Sequence, residues 1–190
     1  FGDGISLVLD GYGGGTLTYG AGSVYGDVEG EGDTLRLTAG EKVYLLTLSG
    51  GSLLSAEAFT RHEGAEGALF AGVNSAFTED GALLPFTAAG NGEYLLGSGA
   101  SAKRVLLEGD RWYVFREGLQ GTAQTAEGTL TLDGFGRGSY ATQAGILSCE
   151  VVYASGRYLE LEAGGKRLFV ALDGRGSFAV GAVESSFRTL

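Results

Sequence analysis

The sequence predicts an all-β fold, a duplicated antiparallel β-meander rolled into a barrel-like or sandwich arrangement with little or no helix. Three observations predict it. The chain's 36 glycines, against a single proline, are interleaved with Leu, Val, Ile, Tyr and Phe, so they mark turns and bulges and not a flexible linker. Apolar side chains alternate with polar ones at the period of two that a half-buried strand imposes. The same pattern then recurs far downstream, the mark of a duplicated module.

In chain order, Leu9-Asp10-Gly11-Tyr12-Gly13-Gly14-Gly15-Thr16-Leu17 returns as Leu132-Asp133-Gly134-Phe135-Gly136-Arg137-Gly138-Ser139-Tyr140. The likeness passes through Gly22 and Gly145, then Val28 and Val151. Leu35-Arg36-Leu37-Thr38-Ala39-Gly40 answers to Leu159-Glu160-Leu161-Glu162-Ala163-Gly164. Lys42 to Leu48 answers in the same way to Lys166 to Leu172.

In the second copy Leu159, Leu161 and Ala163 alternate with Tyr158, Glu160 and Glu162. Gly164 and Gly165 supply the positive φ of a tight hairpin, and Leu168, Val170 and Leu172 alternate back. Glu160 and Glu162 then face Lys166 and Arg167, an exposed cross-strand charge pairing. Leu45 and Phe169 point to the opposite face and are also apolar, which predicts cover on both sides of the return strand.

Between the copies, Arg104-Val105-Leu106-Leu107 leads through Glu108-Gly109-Asp110 into Arg111-Trp112-Tyr113-Val114-Phe115, a hairpin by its Gly turn and aromatic strand. Pro85 belongs at an edge or in a loop. Ser55 to His62 is the one helix candidate, with Val183 to Thr189 as its loose counterpart. The organisation is therefore residues 1–58 as first meander copy, 59–127 as bridging hairpins and 128–190 as second copy.

A net charge of −10 and a pI near 4.5 exclude nucleic acid, which needs a concentrated basic face. No stretch reaches the roughly 20 apolar residues of a membrane-spanning helix, so no membrane span is expected. Cys149 stands alone and forms no internal disulfide. Phe1 opens the chain with neither Met nor an apolar leader, which predicts a mature segment of a longer protein.

Five features could carry chemistry, and each has a plainer reading. Asp10 to Gly13, Asp133 to Gly136 and Asp173 to Gly176 could offer oxygens to calcium, but each supplies one acid where a calcium loop supplies two or three. The favoured reading is an Asp-Gly turn with its aromatic packed on a neighbouring strand. The Gly-x-Gly-x-Gly spacing at Gly11 and Gly134 lacks the helix a dinucleotide site needs. His62 could be a general base with Glu57, Glu63 or Glu66, yet no nucleophile accompanies it, and a solvated loop histidine is favoured. Cys149, in phase with Leu147 and Val151, reads as a small core hydrophobe. Trp112 and Tyr113 could stack on a glycan, although adjacent strand residues face opposite ways, so one of the two belongs to the core. No catalytic residue, metal ligand or cofactor follows from these patterns.

The run Gly32-Asp33-Thr34-Leu35-Arg36-Leu37-Thr38 with Gly40 and Tyr44-Leu45-Leu46 resembles the strand-turn-strand unit of bacterial lipocalin-like meanders. The Asp-Gly-Tyr-Gly and Asp-Gly-Phe-Gly elements resemble repeat modules of large secreted surface proteins of anaerobic gut bacteria. The resemblance covers both copies and not the bridge. It implies an extracellular or cell-surface, repeat-built, non-catalytic domain, and a lipocalin-like barrel would add a central apolar pocket.

The expected function is an interaction or spacer module of such a protein, with a protein or glycan as partner. The alternative is a binding module for glycan, through Trp112 and Tyr113, or for a small apolar ligand. An enzyme ranks last.

Overall fold

The computed structural model describes residues 4–79, 81–125 and 127–172, and the backbone of 182–189. The third Asp-Gly element, Asp173 to Gly176, lies outside the described residues. Strands dominate, joined by two single 3₁₀ turns at Gly99–Ser101 and Glu117–Leu119. The chain divides into two compact units, one holding residues up to 102 with 107–112, the other 103–106 with 113 onward. The bridge is thus shared between them.

In the first unit the meander is β1 (Ile5–Leu9), β2 (Gly14–Tyr19), β3 (Gly22–Glu31), β4 (Thr34–Ala39), β5 (Lys42–Ser49) and β6 (Ser52–His62). Short strands follow: β7 (Leu69–Ala71), β8 (Ser75–Thr78), β9 (Leu84–Gly90) and β10 (Glu93–Leu96). β11 (Lys103–Glu108) and β12 (Arg111–Val114) form the hairpin in which the chain passes to the second unit. There β13 (Gln120–Gln124) precedes the second meander: β14 (Gly128–Asp133), β15 (Arg137–Thr142), β16 (Gly145–Ala154), β17 (Tyr158–Ala163), β18 (Lys166–Leu172) and β19 (Ala182–Thr189). Strands neighbour one another in sequence order throughout, β1 to β12 in one sheet and β13 to β19 in the other.

The two copies share their register. Leu9 sits opposite Gly15 in the first copy and Leu132 opposite Gly138 in the second. Leu37 meets Tyr44 as Leu161 meets Leu168. Bonds outside the ladders repeat too: Val28 N donates to Gly13 O at 2.8 Å, and Val151 N to Gly136 O at 2.6 Å. One residue is extra in the second copy, since Glu150 to Glu162 spans 12 positions where Asp27 to Thr38 spans 11. A bulge between Val151 and Tyr153 absorbs it. Gly164 and Gly165 stand at φ 56° and 74°, the left-handed pair expected of the tight hairpin.

Each meander buries one face. In the second unit Leu119, Ala123, Leu130, Leu132, Tyr140 and Cys149 pack with the inward residues of β17 and β18 into one cluster. β13 and β19, the outer strands of this sheet, approach each other, so the sheet curls around a core filled by side chains. In the first unit Leu17, Leu37, Tyr44 and Leu46 form the equivalent core. Leu17 and Tyr44 are replaced by Tyr140 and Leu168, so each copy holds one tyrosine and one leucine at these two places, a volume-conserving exchange. Each phenol oxygen has a partner, Tyr44 with Tyr19 at 3.3 Å and Tyr140 with Thr125 at 2.8 Å.

The opposite face of β5 is covered as well. Val43, Phe59, Ala68, Phe70 and Phe77 form a second cluster on which Leu45 rests, and the Arg36 guanidinium lies 5.0 Å from the Phe70 ring centre. Of the charge pairing expected on the second hairpin, Arg167 bonds Glu160 diagonally at 2.8 Å while standing opposite Glu162 in register. That pair is only about a quarter exposed, more buried than the exposed pairing expected, with side-chain exposures of 29% and 25%.

Three expectations need correction. Ser55 to His62 is strand, not helix: it forms most of β6, and Val43 opposes Phe59 while Leu46 opposes Ala56. Its counterpart 183–189 lies in β19 and is also strand. Ala and Glu favour helix locally, but pairing with β5 outweighs that preference. Pro85 lies inside the sheet as the second residue of β9, opposite Ser75, with its carbonyl accepting from Gly97 N at 2.8 Å. Leu147 faces the same side of β16 as Cys149, opposite Tyr140, but is itself exposed and not part of the buried core.

Candidate functional site

The Asp-Gly-aromatic-Gly elements sit where β1 turns into β2 and β14 into β15. Asp10 Oδ1 accepts from Tyr12 N at 2.8 Å and Gly14 N at 3.0 Å, while Oδ2 accepts from the Tyr25 hydroxyl at 2.8 Å. Asp133 Oδ1 accepts from Phe135 N at 2.8 Å and Arg137 N at 3.1 Å, while Oδ2 accepts from Arg137 Nε at 3.1 Å. The carboxylate folds its own turn, and the flanking glycines take the left-handed backbone this requires, Gly11 and Gly13 at φ 78° and 95°, Gly134 and Gly136 at 90° and 81°. The Tyr12 amide, then the Tyr25 hydroxyl and Gly14 amide, hold the Asp10 carboxyl below its ordinary value. Among the described residues no cluster of three or more His, Cys, Asp or Glu is placed to hold a metal.

The aromatic residue of the turn behaves differently in the two copies. Phe135 is 8% exposed and packs edge-on against Phe115 at 5.3 Å, with the Arg104 guanidinium 5.5 Å from its ring centre. Tyr12 is 96% exposed and packs on no strand, contrary to expectation. That difference was invisible in the motif itself, because the cover comes from residues of the bridge.

Trp112 is core. It is 3% exposed, its Nε1 donates to Gly67 O at 2.8 Å, and its backbone N donates to Glu63 O at 2.9 Å. Its ring faces lie inside the protein and offer no flat platform to a sugar. Tyr113 is half-buried, and the Arg137 guanidinium lies 5.1 Å from its ring centre. The open aromatic pair is elsewhere: Tyr153 and Tyr158, 50% and 40% exposed, have ring centres 5.3 Å apart. Neither stood out in the sequence, since they come together only through the β16–β17 turn.

His62 is not a loop residue. It ends β6, half-buried, with Nδ1 3.1 Å from Gly109 O, which fixes the neutral tautomer carrying the proton on Nδ1. Burial lowers its pKa, opposed by the Gly109 carbonyl and the charges of Asp110 and Glu41. Of the acids expected beside it, Glu63 accepts from Arg61 at 2.7 Å and Glu57 from the Ser75 hydroxyl. Cys149 is buried in the second core, and burial, with a smaller contribution from Asp133, pushes its thiol up to about 11. Neither residue meets a nucleophile–base geometry.

No helix among the described residues is long and apolar enough to cross a membrane. Comparison of the chain with protein-family models, curated proteins and solved structures returns no match.

Proposed function

We propose that this chain is a non-catalytic interaction or spacer module of a secreted or cell-surface bacterial protein. One observation carries the reading: in both copies the carboxylate of the most conspicuous motif is bonded to its own turn, so the motif serves the fold. The filled core of the second unit and the inert settings of His62 and Cys149 support it further. Recognition then falls to exposed edges and loops.

A thermal-shift screen with oligosaccharides, fatty acids and calcium tests it, because a ligand that binds only the folded state raises the melting temperature by mass action. The module reading expects a flat profile, and a saturable shift with any one class overturns it. The glycan alternative now draws on the Tyr153–Tyr158 pair and not on Trp112. In that case a saturable glycan shift disappears in Tyr153→Ala.

A further inference from the structure

Among the described residues, Tyr153 and Tyr158 are the one pair of tyrosines in ring contact with both rings open to solvent. Tyr19 also touches Tyr44, but Tyr44 is buried. The bulge between Val151 and Tyr153 brings Tyr153 opposite Glu160, on the outer face of β17. Tyr158 alternates with the buried Leu159 and so points to the same face. The ring centres lie 5.3 Å apart and the planes are tilted by 31°. At these places the first copy has Glu29, opposite Arg36, and Thr34.

The turn between the strands holds the two rings together. Ser155 N donates to Tyr158 O at 3.0 Å, and the Ser155 hydroxyl accepts from Tyr158 N at 3.1 Å and Arg157 N at 3.2 Å. A reaction between rings so tethered is an intramolecular step, favoured over the same reaction between separate chains. The chain also offers an oxidant little else. Methionine and cysteine sulfur are common first targets of oxidation. This chain has no methionine, its one cysteine is buried in the second core, and its one tryptophan is buried as well. Oxidising equivalents arriving from solvent therefore meet phenol.

We propose that Tyr153 and Tyr158 are a cross-linking site, joined as a dityrosine by a one-electron oxidant of the haem-peroxidase class with hydrogen peroxide. Each phenol gives up one electron and its hydroxyl proton, leaving a phenoxyl radical. The two radicals pair to form one carbon–carbon bond between ring positions adjacent to the hydroxyls. The hydrogen on each of those carbons then moves to the oxygen and restores the phenol. Two electrons and two protons leave the protein in all, and they reduce one peroxide to two waters as its O–O bond breaks. The link ties β16 to β17 at their shared turn, on the outer face of the sheet. It goes beyond the module reading, giving the scaffold a covalent staple that a lone cysteine cannot supply within the chain.

The test treats the whole chain, kept dilute, with a haem peroxidase and hydrogen peroxide, and follows dityrosine fluorescence, intact mass and a tryptic map. A monomer lighter by two hydrogens is expected, with the tryptic peptide 138–157 joined to 158–166. Tyr153→Phe and Tyr158→Phe each lower the monomer's dityrosine fluorescence at least about tenfold, while Tyr12→Phe leaves it unchanged, because only the tethered pair couples within one chain. Should a variant fail to fold, the map of the wild-type chain still decides. An unlinked monomer, a link that maps to other tyrosines, cross-linked dimers in its place, or fluorescence that survives in Tyr153→Phe overturns the proposal.

Discussion

Trp112 separates a structural from a sugar-binding role by the cost of removing it. Truncating a buried tryptophan to alanine costs about 3–5 kcal/mol, from lost burial and the cavity left behind. The site has little room to collapse: a Cβ built on Gly64 would lie 2.6 Å from the Trp112 Cδ1 atom, so backbone already presses on the ring. Trp112→Phe keeps most of the ring but deletes the donor to the carbonyl of exposed Gly67, a hydrogen bond worth about 0.5–1.5 kcal/mol. With a urea slope of about 2 kcal/mol per molar, the midpoint of the first unit falls by about 2 M in Trp112→Ala and by about 0.5 M in Trp112→Phe. Far-UV circular dichroism must follow both, because Trp112 is the only tryptophan. A Trp112→Ala midpoint within about 0.3 M of wild type, well inside the shift expected for a core residue, would refute the burial argument.

Three more outcomes follow from particular side chains. The Asp10 carboxyl is held below 3.8 in the folded state, so its contribution is complete above that pH and is lost as pH falls through the folded value. The stability gap between wild type and Asp10→Asn should therefore shrink in urea titrations below pH 3.8, and a gap constant down to pH 2 contradicts the turn assignment. His62 is shifted the other way round for a base: its folded pKa lies below 6.5, the folded chain binds fewer protons there, and stability falls as pH drops from 6.5 toward the folded value. His62→Gln should remove that slope, and an NMR titration of His62 at or above 6.5 counts against it. Cys149, with its thiol near 11, should resist a disulfide reagent at pH 8 while folded and react at once in urea; equal rates in both states would place it at the surface.

Much of the fold could be read from residue pattern because its rules are local. Gly164-Gly165, the alternation of Leu159, Leu161 and Ala163, and the Asp-led turns each announce their geometry within a few positions. Ser55 to His62 misled for the same reason, since its Ala and Glu favour helix while the ladder with β5 that decides the matter is set elsewhere in the chain. β13 was harder still. Gln120-Gly121-Thr122-Ala123-Gln124 has no apolar alternation, and only its partner β14 makes it a strand. The candidate site suffered most: which of Trp112, Tyr113, Tyr153 and Tyr158 shows a face to solvent depends on contacts distant in sequence.

Among the described residues every strand ladder joins a strand to the one just made before it. The chain can accordingly gain order from its N-terminal end while the remainder is still being synthesised or threaded across a barrier. Apart from the end of β6, where Glu63 bonds Asp110 and Trp112, no early strand among the described residues pairs with a late one, which shortens the loops that must close and speeds folding. For a protein assembled from many such units, each could finish behind the exit point before the next emerges, leaving little sticky, half-made surface for neighbours to catch.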